Sequence, residues 1–200
     1  MARSRKAAAK PGVSPTRLFK SKDDWAAWLD KNHRKSPGLW LRLAKKDSGL
    51  KFVTYKEALE VALCHGWIDG QKRPENEQTW LQRFSPRSTK SIWSKINRES
   101  AERLIASGAM KAAGLEAIES AKKDGRWKSA YDSPSRSTVP DDLQAALNAS
   151  PRAKAFFETL DRANRYAILW RIQTVKKAET RSRKIQQFIA MLERKEKIHQ

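Results

Sequence analysis

Apolar and polar positions alternate along this chain with two periods, and the switch between them divides it into elements. Trp25, Trp28 and Leu29 fall at helical spacing behind Ser21-Lys22-Asp23-Asp24, a serine followed at the third position by an acid. That capping-box pattern predicts a helix running to about Lys31. After Pro37-Gly38, the apolar residues Leu39, Leu41 and Leu43 alternate with Trp40 and Arg42, which predicts a strand with one buried face. Thr54-Tyr55-Lys56-Glu57 is a second capping box and opens a helix through Leu59, Ala62 and Leu63 that stops at Gly66. Trp67 to Gln71 and Trp80 to Phe84 read as two further strands around the polar turn Pro74-Glu75-Asn76-Glu77, and are expected to pair as a hairpin.

Gly66 and Gly70 bracket Trp67, Ile68 and Asp69. The first glycine can take the left-handed cap conformation and the second permits a turn or bulge, so the backbone itself aims Asp69. In the following strand Trp80, Gln82 and Phe84 share one face and Leu81 and Arg83 the other. Taken as the inward face, the second places a guanidinium where an unpaired charge would be costly, and Asp69 is the expected counter-ion. A helix is expected near Ser91, with Ile92, Trp93, Ile96 and Leu104 on its apolar stripe and Gly108 ending it; another follows from Met110 to Lys123, capped by Gly125-Arg126-Trp127.

Tyr131 to Thr138, rich in Ser, Pro and Asp, reads as a linker. Beyond it the pattern is wholly helical: Asp141 to Asn148, a helix with Ser150 as N-cap and Pro151 at its first position, Ala163 to Val175, and Glu179 to about Glu196 with Ile185, Phe188, Ile189 and Leu192 as its apolar stripe. The expected fold is therefore α+β and helix-rich. A sheet of three or so strands occupies an N-terminal domain over 16–130, a linker spans 131–139, and an all-helical module covers 140–198. Residues 1–15 hold Arg3, Arg5, Lys6 and Lys10 with nothing apolar enough to pack, and are expected to be a disordered basic tail.

Composition adds a charge argument. Two hundred residues carry a net charge of +20, and the excess is spread: six basic residues and no acid stand in the first twenty positions, while Lys176, Lys177, Arg181, Arg183 and Lys184 crowd the break before the last helix. Cations at a helix N-terminus oppose its dipole, so this cluster asks for an anionic partner. A field of this sign attracts nucleic acid and acidic surfaces by steering. A chain this long buries roughly 70% of its unfolded surface. It needs no disulfide, and the lone Cys64 sits in an apolar helical run as a core thiol. With no apolar window of membrane-spanning length and no signal-peptide core, the protein is expected to be cytoplasmic.

Candidate chemistry gathers where the helix after Thr54 ends. A helix N-terminus near Ser91, with Arg87, Lys90, Ser91 and Ser94 beside it, can hold a phosphate or carboxylate, Trp93 and Asn97 reading what is attached. No P-loop, dinucleotide glycine fingerprint, serine elbow or zinc spacing occurs, so no cofactor, metal or catalytic residue is assigned. Were there a reaction, Asp69 would supply its acid or base and Arg83 and Arg87 its electrophilic clamp.

Three words recur here in order: Cys64-His65-Gly66-Trp67-Ile68-Asp69-Gly70-Gln71, then Arg83-Phe84-Ser85-Pro86-Arg87, then Ser91-Ile92-Trp93-Ser94-Lys95-Ile96-Asn97. They resemble the YdeI/OmpD-associated, or bacteriocin-protection, proteins of bacteria. His65 departs from that pattern, which has a bulky aromatic there. Gly108-Ala109-Met110, Gly125-Arg126-Trp127 and the run Ala178 to Ile185 fit the same family, so the resemblance spans roughly Thr16 to His199. It implies a bacterial protein linked to stress and to tolerance of cationic antimicrobial peptides, with no defined reaction. The expected role is a non-enzymatic binder of an anionic partner, DNA or RNA first. The alternatives are a small-anion or enzymatic pocket at Asp69, Arg83 and Arg87, and an adaptor for an acidic protein or an anionic membrane surface.

Overall fold

A computed structural model describes residues 14–200. All but Ser14 and Pro15 of the expected basic tail lies outside them. The described residues form a four-stranded sheet and eight helices, an α+β fold, and divide into two compact units. The first runs to Ser91 and resumes over Glu99–Trp127; the second holds Ile92–Arg98 and Lys128–Gln200.

In the first unit, β1 (Thr16–Arg17), β2 (Leu39–Ala44), β3 (Trp67–Pro74) and β4 (Thr79–Pro86) lie in the order β1-β2-β4-β3. Three or so strands were expected. The fourth, β1, pairs in parallel with β2 through only two residues, too few to show alternation. Between β2 and β4, Leu39 faces Phe84, Leu41 faces Gln82 and Leu43 faces Trp80, so these six share one side of the sheet. That side is the core, with α1 (Lys22–Asn32) and α2 (Tyr55–Cys64) packed on it through Trp25, Leu29, Ala58 and Val61. The inward face of β4 is thus the Trp80, Gln82 and Phe84 face and not the Leu81 and Arg83 face expected from the sequence. Leu39, Leu41 and Phe84 are buried, and burying that face removes the largest apolar area from water.

Local capping follows the residue chemistry. Ser21 accepts from the Asp24 amide, and Thr54 and Glu57 form a complete capping box at α2. The buried Trp25 indole donates to the Ala58 carbonyl at 3.0 Å and that of Trp67 to the His33 carbonyl at 3.0 Å. Register slips between Asp69 and Lys72, and Gln82, though buried, donates through Nε2 to the carbonyls of Gly70 at 2.9 Å and Gln71 at 3.2 Å. One buried amide thereby satisfies the carbonyls that the bulge removes from the ladder.

Helix α3 (Lys95–Ala106) starts later than Ser91. Ser94 caps it by accepting from the Asn97 amide at 3.1 Å, while Ser88 and Ser91 make a separate turn. Ile92 and Ile96, expected on a buried stripe, are about two-fifths exposed, and Ala101 is the buried residue of this helix. Helix α4 (Ala112–Lys123) ends at Gly125 with φ +77°.

The second unit packs α5 (Asp141–Ala149), α6 (Pro151–Thr159), α7 (Arg162–Gln173) and α8 (Ala178–Glu193) around Leu143, Leu147, Phe157, Ile168, Ile172, Ile185 and Leu192, with Phe188 and Ile189 against them. Ser150 caps α6 with Pro151 at its first position, as the sequence predicts. The stretch read as a linker is tied within this unit. The Tyr166 hydroxyl donates to the Asp132 carbonyl at 2.9 Å, the Asp132 amide donates to Gln173 at 3.3 Å, and Lys95 pairs with the Asp132 carboxylate at 2.8 Å.

Candidate functional site

A cavity of about 500 Å³ opens in the first unit where α2 gives way to β3. Gly66 makes the corner. Its φ of +71° is the left-handed value a side chain resists, and an added Cβ would lie 2.6 Å from the Ala113 carbonyl oxygen. The chain can turn this tightly against α4 only without a side chain. Its carbonyl then accepts from the Arg87 amide at 2.9 Å, which fixes the end of β4 beside the turn. Ala113 and Ala117 on α4 form a low wall opposite.

Into this space come Arg87, Ser88 and Thr89 from the end of β4, His33 and Arg34 from beyond α1, His65 from the cap of α2, and Arg126 from beyond α4. Arg126 is 6% exposed and spends its donors on three sides: Nε on the Asp124 carboxylate at 2.8 Å, one terminal nitrogen on the Ser91 carbonyl at 2.9 Å, the other on the Ser120 hydroxyl at 3.2 Å. Arg34 meets Glu116 at 2.9 Å on an exposed rim. His65 directs Nδ1 at the Val61 carbonyl, 2.8 Å away, and Nε2 at Asp30, 2.9 Å away. The His65 hydrogen bond holds the Asp30 carboxyl below its ordinary value, against a smaller opposing effect of burial. Glu116 is the only carboxylate in the lining, against three guanidinium groups.

The residues expected to form a site are divided by the structure. Arg87 lines the cavity, and Ser91 stands behind it, its hydroxyl accepting from the Ser88 amide at 3.0 Å. Asp69 and Arg83 do not line it and do not pair. Asp69 accepts from the Tyr55 hydroxyl at 2.7 Å, while Arg83 donates to the Pro37 carbonyl at 3.1 Å and the Phe84 carbonyl at 3.3 Å. The expected counter-ion is thus replaced by neutral acceptors, and burial lowers the Arg83 pKa. Trp93, Ser94 and Asn97 fall in the second unit, with Trp93 fully buried and Ser94 spent on its cap.

In the basic cluster, Arg181 is held by Asp142 at 2.6 and 2.9 Å and by the Ile172 carbonyl at 2.8 Å, whereas Lys176, Lys177 and Arg183 are exposed and Lys184 is half-buried. His33, Arg34, His65, Ser88, Thr89 and Arg126 are cavity residues that the sequence did not single out. Gly66 and Arg87 signalled the place, the first as a left-handed corner and the second as an arginine next to an expected helix start.

Cys64 is a buried free thiol whose pKa burial pushes up. Among the described residues no group of three or more His, Cys, Asp or Glu side chains could hold a metal ion. No helix there is long and apolar enough to cross a membrane.

Two family profiles match the chain. A domain of unknown function, DUF8412, covers residues 17–117, and the bacteriocin-protection, YdeI or OmpD-associated domain covers residues 136–195. The cavity-forming word from Cys64 to Gln71 therefore lies in the first match, and the helices α5 to α8 in the second. No curated protein and no solved structure matches the chain.

Proposed function

From the premise that this chain belongs to the DUF8412 family and carries a YdeI/OmpD-associated domain over residues 136–195, we propose that its first unit binds a small anion, a carboxylate or phosphate, without catalysing a reaction. One observation carries this reading: the 500 Å³ cavity sets three guanidinium groups and three hydroxyls against a single lining carboxylate, Glu116, which pairs with Arg34, while Arg126 is held by Asp124. A volume in this range takes a metabolite-sized ligand. Arginine's planar donors suit both carboxylate and phosphate oxygens, and they act from a partly enclosed site where water competes less. Asp69, the acid or base expected from the sequence, stands outside the cavity, and the arginines and hydroxyls within it form an anion clamp.

The test is thermal unfolding at physiological salt with inorganic phosphate, glycerol 3-phosphate or citrate. At a hundredfold excess over its dissociation constant a ligand adds about 2.7 kcal/mol, which for a chain of this size raises Tm by roughly 5–10 °C. Phosphate and glycerol 3-phosphate acting without citrate would assign the phosphoryl source, and the reverse the carboxylate. Arg87→Gln should abolish the shift. No stabilisation by any of the three, or stabilisation retained in Arg87→Gln, contradicts the proposal.

A second reading is supported by the exposure of Lys176, Lys177 and Arg183 together with the net charge of +20. In it the surface of the second unit contacts a polyanion, DNA or RNA before an acidic protein or membrane surface. Anisotropy of a labelled oligonucleotide should then fall off steeply with salt, and Lys176→Glu/Arg183→Glu should weaken binding for every base sequence; an unchanged affinity removes the cluster as footprint. Cytoplasmic action and the link to stress and antimicrobial-peptide tolerance belong to the same proposal. Cell fractionation and survival of a deletion strain under a cationic peptide are their checks.

A further inference from the structure

The second unit contains its own cavity, of about 570 Å³, lying along one face of α7. Arg162, Tyr166 and Trp170 recur every four residues, as do Ala163, Ala167 and Arg171, so all six fall on one stripe of the helix. The two alanines make a shallow floor between the rings of Tyr166 and Trp170, with Pro134 and His199 completing the lining.

The walls are fixed by bonds that leave their apolar surfaces uncovered. The Tyr166 hydroxyl is spent on the Asp132 carbonyl at 2.9 Å, and burial pushes its pKa up to about 12, so it stays a neutral wall. Trp170 is braced edge-on by Tyr131, ring centres 6.2 Å apart. His199 is pinned by the buried Asn164, which accepts from its amide at 2.8 Å and donates to its carbonyl at 3.1 Å.

The charges differ from those of the walls. Among the described residues the Arg162 side chain has no hydrogen-bond or ion-pair partner, and Arg171 spends one terminal nitrogen on the Ala167 carbonyl at 2.9 Å. Nine helical rises separate the two arginines by about 13 Å. Each end of an apolar trough thus carries guanidinium donors available to a ligand, and the lining contains no carboxylate.

We propose that this trough is a binding site for a small apolar carboxylate, its ring or chain lying between Tyr166 and Trp170 over Ala163 and Ala167, its carboxylate on Arg162 or Arg171. The volume suits a molecule of two fused rings or a comparable chain. Flat rings beside a ring-sized space favour stacking, and a guanidinium at the end of an apolar slot favours a carboxylate over a neutral head group. The site lies wholly in the second unit and does not rest on the anion cavity of the first.

The probe is 2-naphthoate, added to the full chain labelled with nitrogen-15, the signals being the indole N–H resonances of the eight tryptophans. Trp170→Phe identifies the Trp170 resonance. That resonance should move saturably with 2-naphthoate. Arg162→Gln/Arg171→Gln should raise the dissociation constant at least tenfold, and 2-naphthalenemethanol, which has the rings without the charge, should need at least tenfold more. Ala163→Phe, which fills the floor, should abolish the response while the other indole signals keep their positions. The proposal is overturned if the Trp170 resonance stays still at millimolar naphthoate, if the neutral alcohol binds as well, or if Arg87→Gln in place of the second-unit variants removes the response.

Discussion

The two units build their cavities from opposite materials. In the first, a glycine corner brings the ends of helices and strands together, and what lines the space are the polar residues that follow those ends: Arg87, Ser88, Thr89, His33, Arg34 and Arg126. In the second, one helix face supplies most of the lining, and the space is walled by rings and methyl groups with arginines at its ends. A cavity made by loops inherits capping and turn chemistry; one made by a helix face inherits an amphipathic stripe. The first is therefore suited to charge and the second to shape.

Core truncation should give the largest effects and test whether the two units are energetically separate. Leu29 belongs to the core of the first and Leu143 to that of the second, both fully buried. Leu29→Ala and Leu143→Ala should each cost about 3 kcal/mol in urea unfolding, and the double variant should sum to within roughly 0.5 kcal/mol. A clear departure from additivity would mean that the cores are coupled.

Next comes Gly66→Ala, which forces a side chain into a left-handed corner and onto the Ala113 carbonyl. About 2–4 kcal/mol should be lost, from backbone strain together with overpacking. Anion stabilisation should disappear while the response of Trp170 to naphthoate survives. Loss of both would contradict separate sites.

A smaller effect is expected at Asp30, whose carboxyl the His65 hydrogen bond lowers. Because the folded value lies below the unfolded value of about 3.9, this stabilisation is present above that pH and is lost as pH falls through the lowered folded value. The Asp30 side chain is 56% exposed, so solvent screening limits it to about 1 kcal/mol or less. Asp30→Asn should lower stability at pH 6 and converge with the parent near pH 2. A constant difference across that range would remove the His65 hydrogen bond as its cause.

Smallest is Arg181→Gln, which breaks the pair holding Asp142 below its ordinary carboxyl value. The expected cost is under about 1 kcal/mol at low salt and less as salt rises. A larger, salt-independent loss would shift the weight to the Ile172 carbonyl contact.

Much of this architecture was legible in residue chemistry. Ser21, Thr54 and Ser150-Pro151 cap helices where their side chains predict, and Gly66 turns left-handed as its place after α2 requires. Alternation in β4 separated its faces but could not say which was buried, because Trp80 and Leu81 are both apolar; the pairing with Leu39, Leu41 and Leu43 decides it. Ser91 and Ser94 are chemically equal caps, and only the bond to the Asn97 amide distinguishes them. His33, Arg34 and Arg126 reach the cavity from separate parts of the chain, so no local spacing could have joined them to Arg87.

Titration calorimetry with inorganic phosphate, glycerol 3-phosphate and citrate, run side by side on the parent, Arg87→Gln and Arg162→Gln/Arg171→Gln, tests the charged cavity most directly. The account predicts one site per chain for at least one of the three, lost in Arg87→Gln and kept in the double variant. No binding of any of the three by the parent, or loss only in the double variant, would contradict it.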